Sequence, residues 1–290
     1  MAKLGGSQRM GPLGIFDSGL GGLTVLQQIR HRLPEIDLCY LGDNARVPYG
    51  NRSFETVYRF TREGVYTLLK QGAPLVVVAC NTASAKALRS IQQKDLPLWQ
   101  KEFNDGGPER RVLGVLRPTT EKAGELTQSG RLGLLATRGT VESGSYTTEI
   151  NQFFPEITLY SQACPLWVPL IEEGIHQGPV AEAIVRADLD ELLAKAPGMD
   201  AVILGCTHYP LLAPLIRNLL PPNVRVFEQG PLVAQALSLY LQRHPDLNAS
   251  LTRGGTIQYF TTEDPQRFDW QASRFGGQYV QSKHIELLEP

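Results

Sequence analysis

Residues 75–88 read LVVVACNTASAKAL, and residues 201–215 read AVILGCTHYPLLAPL. The two stretches share one plan. Each opens on four apolar residues, continues with one small residue and a cysteine, passes through polar residues that include threonine, and ends in a run of helical character. The apolar runs carry no polar alternation, the pattern of a strand buried on both faces of a parallel sheet. The two cysteines, Cys80 and Cys206, are separated by about one domain's length. The echo predicts two similar α/β units, each with a cysteine at the carboxyl end of a strand. Open α/β sheets bind ligands outside those ends. If the units face each other, Cys80 and Cys206 enter one cleft.

The rest of the chain fits that frame. Upstream, LGIFDSG (13–19) reads as a short strand running into a glycine turn, and GLTVLQQIRHRLP (22–34) as an amphipathic helix stopped by Pro34. IDLCYLGD (36–43) is a second strand, and SFETVYRFTREGVYTLLKQG (53–72) a helix ending at Gly72. Downstream, PLWQKEFNDGGPERR (97–111) reads as a loop, and RVLGVLRPT (111–119) begins a new unit. Strand–turn–helix patterns follow at 131–150 and 199–221, with further strands at 157–165, 225–230 and 256–262 and helices across 168–196 and 231–245. Strands alternating with helices imply mostly parallel sheets covered on both sides.

Composition narrows the function classes. The 290 residues are 42% hydrophobic and 20% charged, with 28 Lys and Arg against 29 Asp and Glu, a formal net charge of −1. This balance lacks the basic excess of many nucleic-acid binders. No apolar run reaches the roughly 18 residues of a membrane-spanning helix. The polar, glycine-rich MAKLGGSQRMGP at 1–12 lacks the apolar core of a signal peptide and is expected to be a flexible extension on a cytoplasmic protein. The four cysteines, Cys39, Cys80, Cys164 and Cys206, form no C-x-x-C pair and no Cys/His cluster at metal-ligand spacing. Thiol chemistry is the expected use of any that matter.

Two thiols facing one cleft suit the inversion of a carbon centre. Inversion removes a proton from one face and returns one to the other, which two opposed acid/base groups accomplish near neutral pH. Both cysteines stand where a helix is expected to begin, and a helix N-terminus lowers a thiol's pKa. A carbanion beside a carboxylate needs aimed donors, and Asn81, Thr82 and Thr207 are candidates, although Asn81 and Thr82 also suit helix caps. His208, two residues after Cys206, is placed to orient that thiol or share its proton. Asp17 and Ser18 follow the first strand. Asp17 is either a carboxylate partner of Cys80 or an ordinary turn residue. Two other readings stay open. Cys206 with His208 also fits a cysteine amidase, which leaves Cys80 unexplained. The glycines of GIFDSGLGG, with Asp43 downstream, suggest nucleotide binding, but the dinucleotide pattern is incomplete and there is no Walker sequence.

Six segments in order, IFDSGLGGLTV (15–25), YLGDNARVPYG (40–50), VVACNTASA (77–85), GTVESGSY (139–146), ACPLWVPLIEEG (163–174) and LGCTHYP (204–210), closely resemble the glutamate racemase family. The resemblance runs from about Leu13 to Phe275. It implies cofactor-independent interconversion of L- and D-glutamate, the source of D-glutamate for peptidoglycan, with no pyridoxal phosphate, metal or nucleotide. It implies catalytic roles for Cys80 and Cys206, auxiliary roles for Asp17 and His208, and an assisting carboxylate at Glu172 or its neighbour Glu173. It further implies that Asp17 and Ser18, Tyr49 and Gly50, Asn81 and Thr82, and Thr207 and His208 bind glutamate. Ser143 and Cys164 fall in matching segments and are given structural roles. The family fold is a pair of α/β domains related by a pseudo-twofold axis, with the site between them. Here that predicts one domain from 13–114 with 230–290 and a second from 115–229. A homodimer is also implied.

Overall fold

The computed structural model of the chain describes residues 10–103, 109–276 and 279–290. Among them, ten strands form two sheets: β1 (Leu13–Asp17), β2 (Leu38–Gly42), β3 (Leu75–Val78), β4 (Arg111–Gly114), β5 (Arg131–Ala136), β6 (Thr158–Ala163), β7 (Ala201–Gly205), β8 (Arg225–Glu228), β9 (Ile257–Thr261) and β10 (Ser282–His284). The larger sheet has the order β10-β9-β2-β1-β3-β4 and the smaller β6-β5-β7-β8. Every pairing between these strands is parallel. The expected α/β architecture is therefore the one that forms.

The echo seen in the sequence is also a topological one. The run β2-β1-β3-β4 in the larger sheet corresponds, strand for strand, to β6-β5-β7-β8 in the smaller. In each, the order reverses between the first strand and the third, and such reversal points are where parallel sheets leave a ligand crevice. Registers align the carboxyl ends there, with Phe16 opposite Val78 and Ala136 opposite Gly205. The residues just beyond, Asp17, Cys80, Thr137 and Cys206, are thus delivered to the crevices by strand pairing alone.

All residues of β1, β3 and β7 are buried, and fully burying one such aliphatic side chain contributes about 1.5–3 kcal/mol. The helices follow from their apolar spacing. In α1 (Leu23–Arg32), Leu23, Val25, Leu26 and Ile29 are buried, and Arg30, His31 and Arg32 fill the last turn, where cations complement the helix dipole. The Ser53 hydroxyl caps α2 (Phe54–Lys70) by accepting from the Thr56 amide. The short α3 (Asn81–Lys86) begins directly after Cys80. Later come α4 (Trp167–Glu172), α5 (Gln229–Arg243), which packs against α1, and α6 (Pro265–Gly276).

Three expectations change. The loop expected over 97–111 is in part a helix, Leu96–Glu102, with Pro97 in its first turn and Trp99 buried against Tyr66. The Asn and Gly residues further along masked that apolar anchor, and residues 104–108 lie outside the described residues. The extension expected over 1–12 ends earlier, because Gly11 is buried and bridged to Leu251, its N–H donating to the Ser250 carbonyl; residues 1–9 lie outside the described residues. Finally, β10 went unforeseen, since Ser-Lys-His has no strand pattern of its own and is held by pairing with β9.

Candidate active site

A cavity of about 50 Å³, measured as room for the centre of a water molecule, lies between the carboxyl ends of the two sheets. Ser18, Tyr49, Gly50, Cys80, Asn81, Thr82, Glu172, Cys206, Thr207 and His208 all line it. Of the catalytic and glutamate-binding candidates, Glu173 apart, only Asp17 is missing from the wall. It stands fully buried behind it, at the end of β1.

Cys80 is the N-cap of α3, and its Sγ accepts from the Ala83 amide at 3.5 Å. The expected helix start is present, but the thiol's pKa moves the opposite way. Burial, then the nearby Asp17 carboxylate, push it up to about 12, against the Ser18 hydroxyl and the Ala83 amide. Asp17 accepts from the Gly19 amide at 2.9 Å through Oδ2, while its buried Oδ1 has no partner among the described residues. Burial raises its carboxyl pKa as well, despite the opposing pull of His208.

Cys206 departs from the expected pattern. No α-helix begins at it: a 3₁₀ turn over Tyr209–Leu212 intervenes before the helix Ala213–Leu219. What stands beside this thiol is His208, whose Nδ1 lies 4.0 Å from Sγ and whose Nε2 lies 3.0 Å from Glu172 Oε1. Burial works against a charged imidazole here, but hydrogen bonds and charge from Cys206 and Glu172 outweigh it and hold the His208 pKa above its ordinary value. Glu172 reaches His208 and lines the cavity, whereas Glu173 is exposed.

The glycine turn after β1 has a role that sequence reasoning missed. A Cβ at Gly21 would collide with the His208 ring and the Thr207 hydroxyl, so only glycine lets the two strand-end loops meet. The Thr24 hydroxyl reinforces the contact by donating to the Thr207 carbonyl at 2.8 Å. Gly21 thereby admits the facing loop, while a Cβ at Gly22 would meet Asp17. Asp43 is likewise occupied, by Tyr49, Arg46 and Thr262, so the ribose-binding reading falls away.

Other side chains also escaped the sequence reading. The Thr82 hydroxyl meets those of Thr137 at 2.9 Å and Thr140 at 3.3 Å, while the Gly139 amide donates to the Gly50 carbonyl at 2.8 Å. Pro165, Val168 and Pro169 give the wall an apolar side. Asn81 is tied to Gln229 and Tyr146, both buried. Thr137, Tyr146 and Gln229 look like ordinary cap or helix residues in sequence, and no spacing signal marks them. Ser143 donates to the Thr140 carbonyl, and Cys164 is buried outside the cavity lining.

Known proteins share this sequence and fold. The family model described as Asp/Glu/Hydantoin racemase matches residues 23–237. The glutamate racemase of Persephonella marina is 38% identical over 278 residues, covering 96% of each chain. The crystal structure of a glutamate racemase from Bacillus anthracis superposes with a TM-score of 0.84 at 32% identity, over 96% of this chain and 98% of that one. A glutamate racemase from Francisella tularensis, crystallised with D-glutamate, gives a TM-score of 0.80 at 30% identity, over 96% and 97%. With such coverage in both sequence and fold, the chain belongs to the Asp/Glu/Hydantoin racemases, and within them to the glutamate racemases.

Proposed function

We propose that this racemase interconverts L- and D-glutamate without a cofactor, with Cys80 and Cys206 acting on opposite faces of the α-carbon. The supporting observation is that both thiols line one small cavity and each has its own ionisable neighbours. In one direction, a cysteine thiolate takes the α-proton and becomes a thiol. The electron pair left behind delocalises into the α-carboxylate, and the opposite thiol delivers its proton to the other face, becoming a thiolate. The reverse direction exchanges the roles.

Burial makes Cys80 a weak acid, so its thiolate is a correspondingly strong base once formed. The substrate ammonium group brings the positive charge that favours ionisation. Asp17 serves as proton partner on the Cys80 side, and His208 with Glu172 on the Cys206 side. Asn81, Thr82 and Thr207 supply donors to the carboxylate as charge accumulates. Ser18, Tyr49 and Gly50 complete the glutamate site.

The physiological reading is a cytoplasmic homodimer that provides D-glutamate for peptidoglycan, with residues 13–114 and 230–290 as one domain and 115–229 as the other. Incubating either enantiomer in deuterated water tests the chemistry. The product is expected to carry solvent deuterium at the α-carbon, and product without it rejects the two-thiol mechanism. Comparing L-glutamate with L-aspartate tests the substrate, since one methylene discriminates by only about 1–3 kcal/mol. Faster turnover of aspartate would reject glutamate as the preferred substrate.

A further inference from the structure

Three polar side chains behind the cavity form a closed ring. Asn81 Nδ2 donates to Gln229 Oε1 at 2.7 Å, Gln229 Nε2 donates to the Tyr146 hydroxyl at 2.5 Å, and the Tyr146 hydroxyl donates to Asn81 Oδ1 at 2.7 Å. All three are at most 4% exposed, so an unmade hydrogen bond among them has no water to replace it. The sense of the ring is dictated from outside. Gln229 Nε2 also faces the Val115 carbonyl at 3.3 Å and Thr119 Oγ1 at 3.0 Å. A backbone carbonyl only accepts, so the amide nitrogen of Gln229 must lie on that side. Its oxygen then faces Asn81, which must turn its own nitrogen to Gln229 and its oxygen to Tyr146.

We infer that Gln229 and Tyr146 are positioning residues, which act on the reaction by fixing the Asn81 side chain on the cavity wall next to Cys80. Asn81 belongs to the cavity lining and neither partner does. With Nδ2 directed at Gln229, Asn81 keeps one amide hydrogen beyond the ring bonds, held in a set orientation. Rotation of the amide would sacrifice two buried hydrogen bonds at once. The ring also lies where the chain passes between sheets, because Val115 follows β4 and Gln229 follows β8, while Tyr146 comes from the unit of the smaller sheet. The site is thereby keyed to both crossovers. The inference rests on Asn81 contacting glutamate, as proposed above.

The test is a double-mutant cycle on kcat/KM for glutamate, using Tyr146→Phe, Asn81→Ala and the pair, with melting temperature followed in parallel. Tyr146→Phe alone is expected to lower kcat/KM about tenfold, because Asn81 loses the hydrogen bond that holds its Oδ1. In the Asn81→Ala background it is expected to change kcat/KM by less than about twofold while still lowering the melting temperature. Equal effects of Tyr146→Phe in both backgrounds overturn the positioning role and leave a purely structural one. Gln229→Met, which keeps the volume and removes the amide, is expected to show the same dependence on Asn81. It gives an independent reading if a phenylalanine at 146 repacks. If the unmodified protein does not racemise glutamate, the proposed function fails and this inference fails with it; an additive cycle in an active enzyme rejects the inference alone.

Discussion

Asp17 is as fully buried as any leucine of the core, yet one of its carboxylate oxygens has no partner among the described residues. Its raised pKa has a consequence for stability. A group whose pKa is higher in the folded state favours folding while protonated, and that benefit fades as pH rises through the folded value. Above the unfolded value this buried carboxyl is therefore a burden on the fold. Asp17→Asn, which keeps an acceptor for the Gly19 amide, is expected to raise the melting temperature at pH 8, with the gain vanishing toward pH 4, while turnover drops sharply. Thermal melts at the two pH values check the sign. His208 has the same sign of dependence, with its protonated form the charged one. Its raised pKa stabilises the fold fully below the unfolded value of about 6.5, and that contribution is lost as pH climbs through the folded value. Glu172→Gln removes part of what holds the imidazole charged, so the His208 step in the pH profile of kcat/KM is expected to move to lower pH. An unmoved profile would detach Glu172 from the reaction. The two cysteines were legible in sequence because their surroundings repeat, and His208 because it lies two residues from one of them. Glu172 and Glu173 were not separable, because adjacent helical residues point about 100° apart and only the packing of α4 says which one faces inward.

Two glycines show how elements are matched to one another. Gly64 in the middle of α2 lies against the Phe16 ring of β1, and a methyl group there would overlap it. Gly21 meets His208 and Thr207 from the facing loop. The same substitution is expected to have different signatures at the two sites. Gly64→Ala should destabilise by about 1–3 kcal/mol through overpacking, with kcat/KM nearly unchanged in the protein that remains folded. Gly21→Ala should displace His208 and lower kcat/KM by more than tenfold. Denaturant midpoints and steady-state rates on the same preparations distinguish them. The strands and longer helices could be read from periodicity, since β3 and β7 are buried on both faces and α1 on one. The helix Leu96–Glu102, the 3₁₀ turn after Cys206 and β10 could not. Each is short and set by what it packs or pairs with.

Over the site, polar contacts join the units of the two sheets, beside an apolar core that draws on both. Thr82 from the larger sheet's unit meets Thr137 and Thr140 from the smaller, and Gly139 donates to Gly50. Thr137→Val keeps the shape and removes the bridge. It is expected to raise KM for glutamate several-fold with a smaller change in kcat, which steady-state kinetics in both directions will show. A loss confined to kcat would instead assign Thr137 to the chemical step.

By itself, the sequence determined the parallel α/β plan and the paired cysteines, and its resemblance to glutamate racemases named the chemistry. Those features rest on local periodicity and on a repeated unit, which a linear chain displays openly. Tertiary structure alone decided that Asp17 stands behind the cavity wall, that Cys80 is pushed up rather than down, that Glu172 holds His208, and that Gln229 and Tyr146 hold Asn81. Burial and hydrogen-bond geometry depend on which distant segments meet. The Asn81–Gln229 pair spans 148 positions, and no local pattern encodes such a meeting.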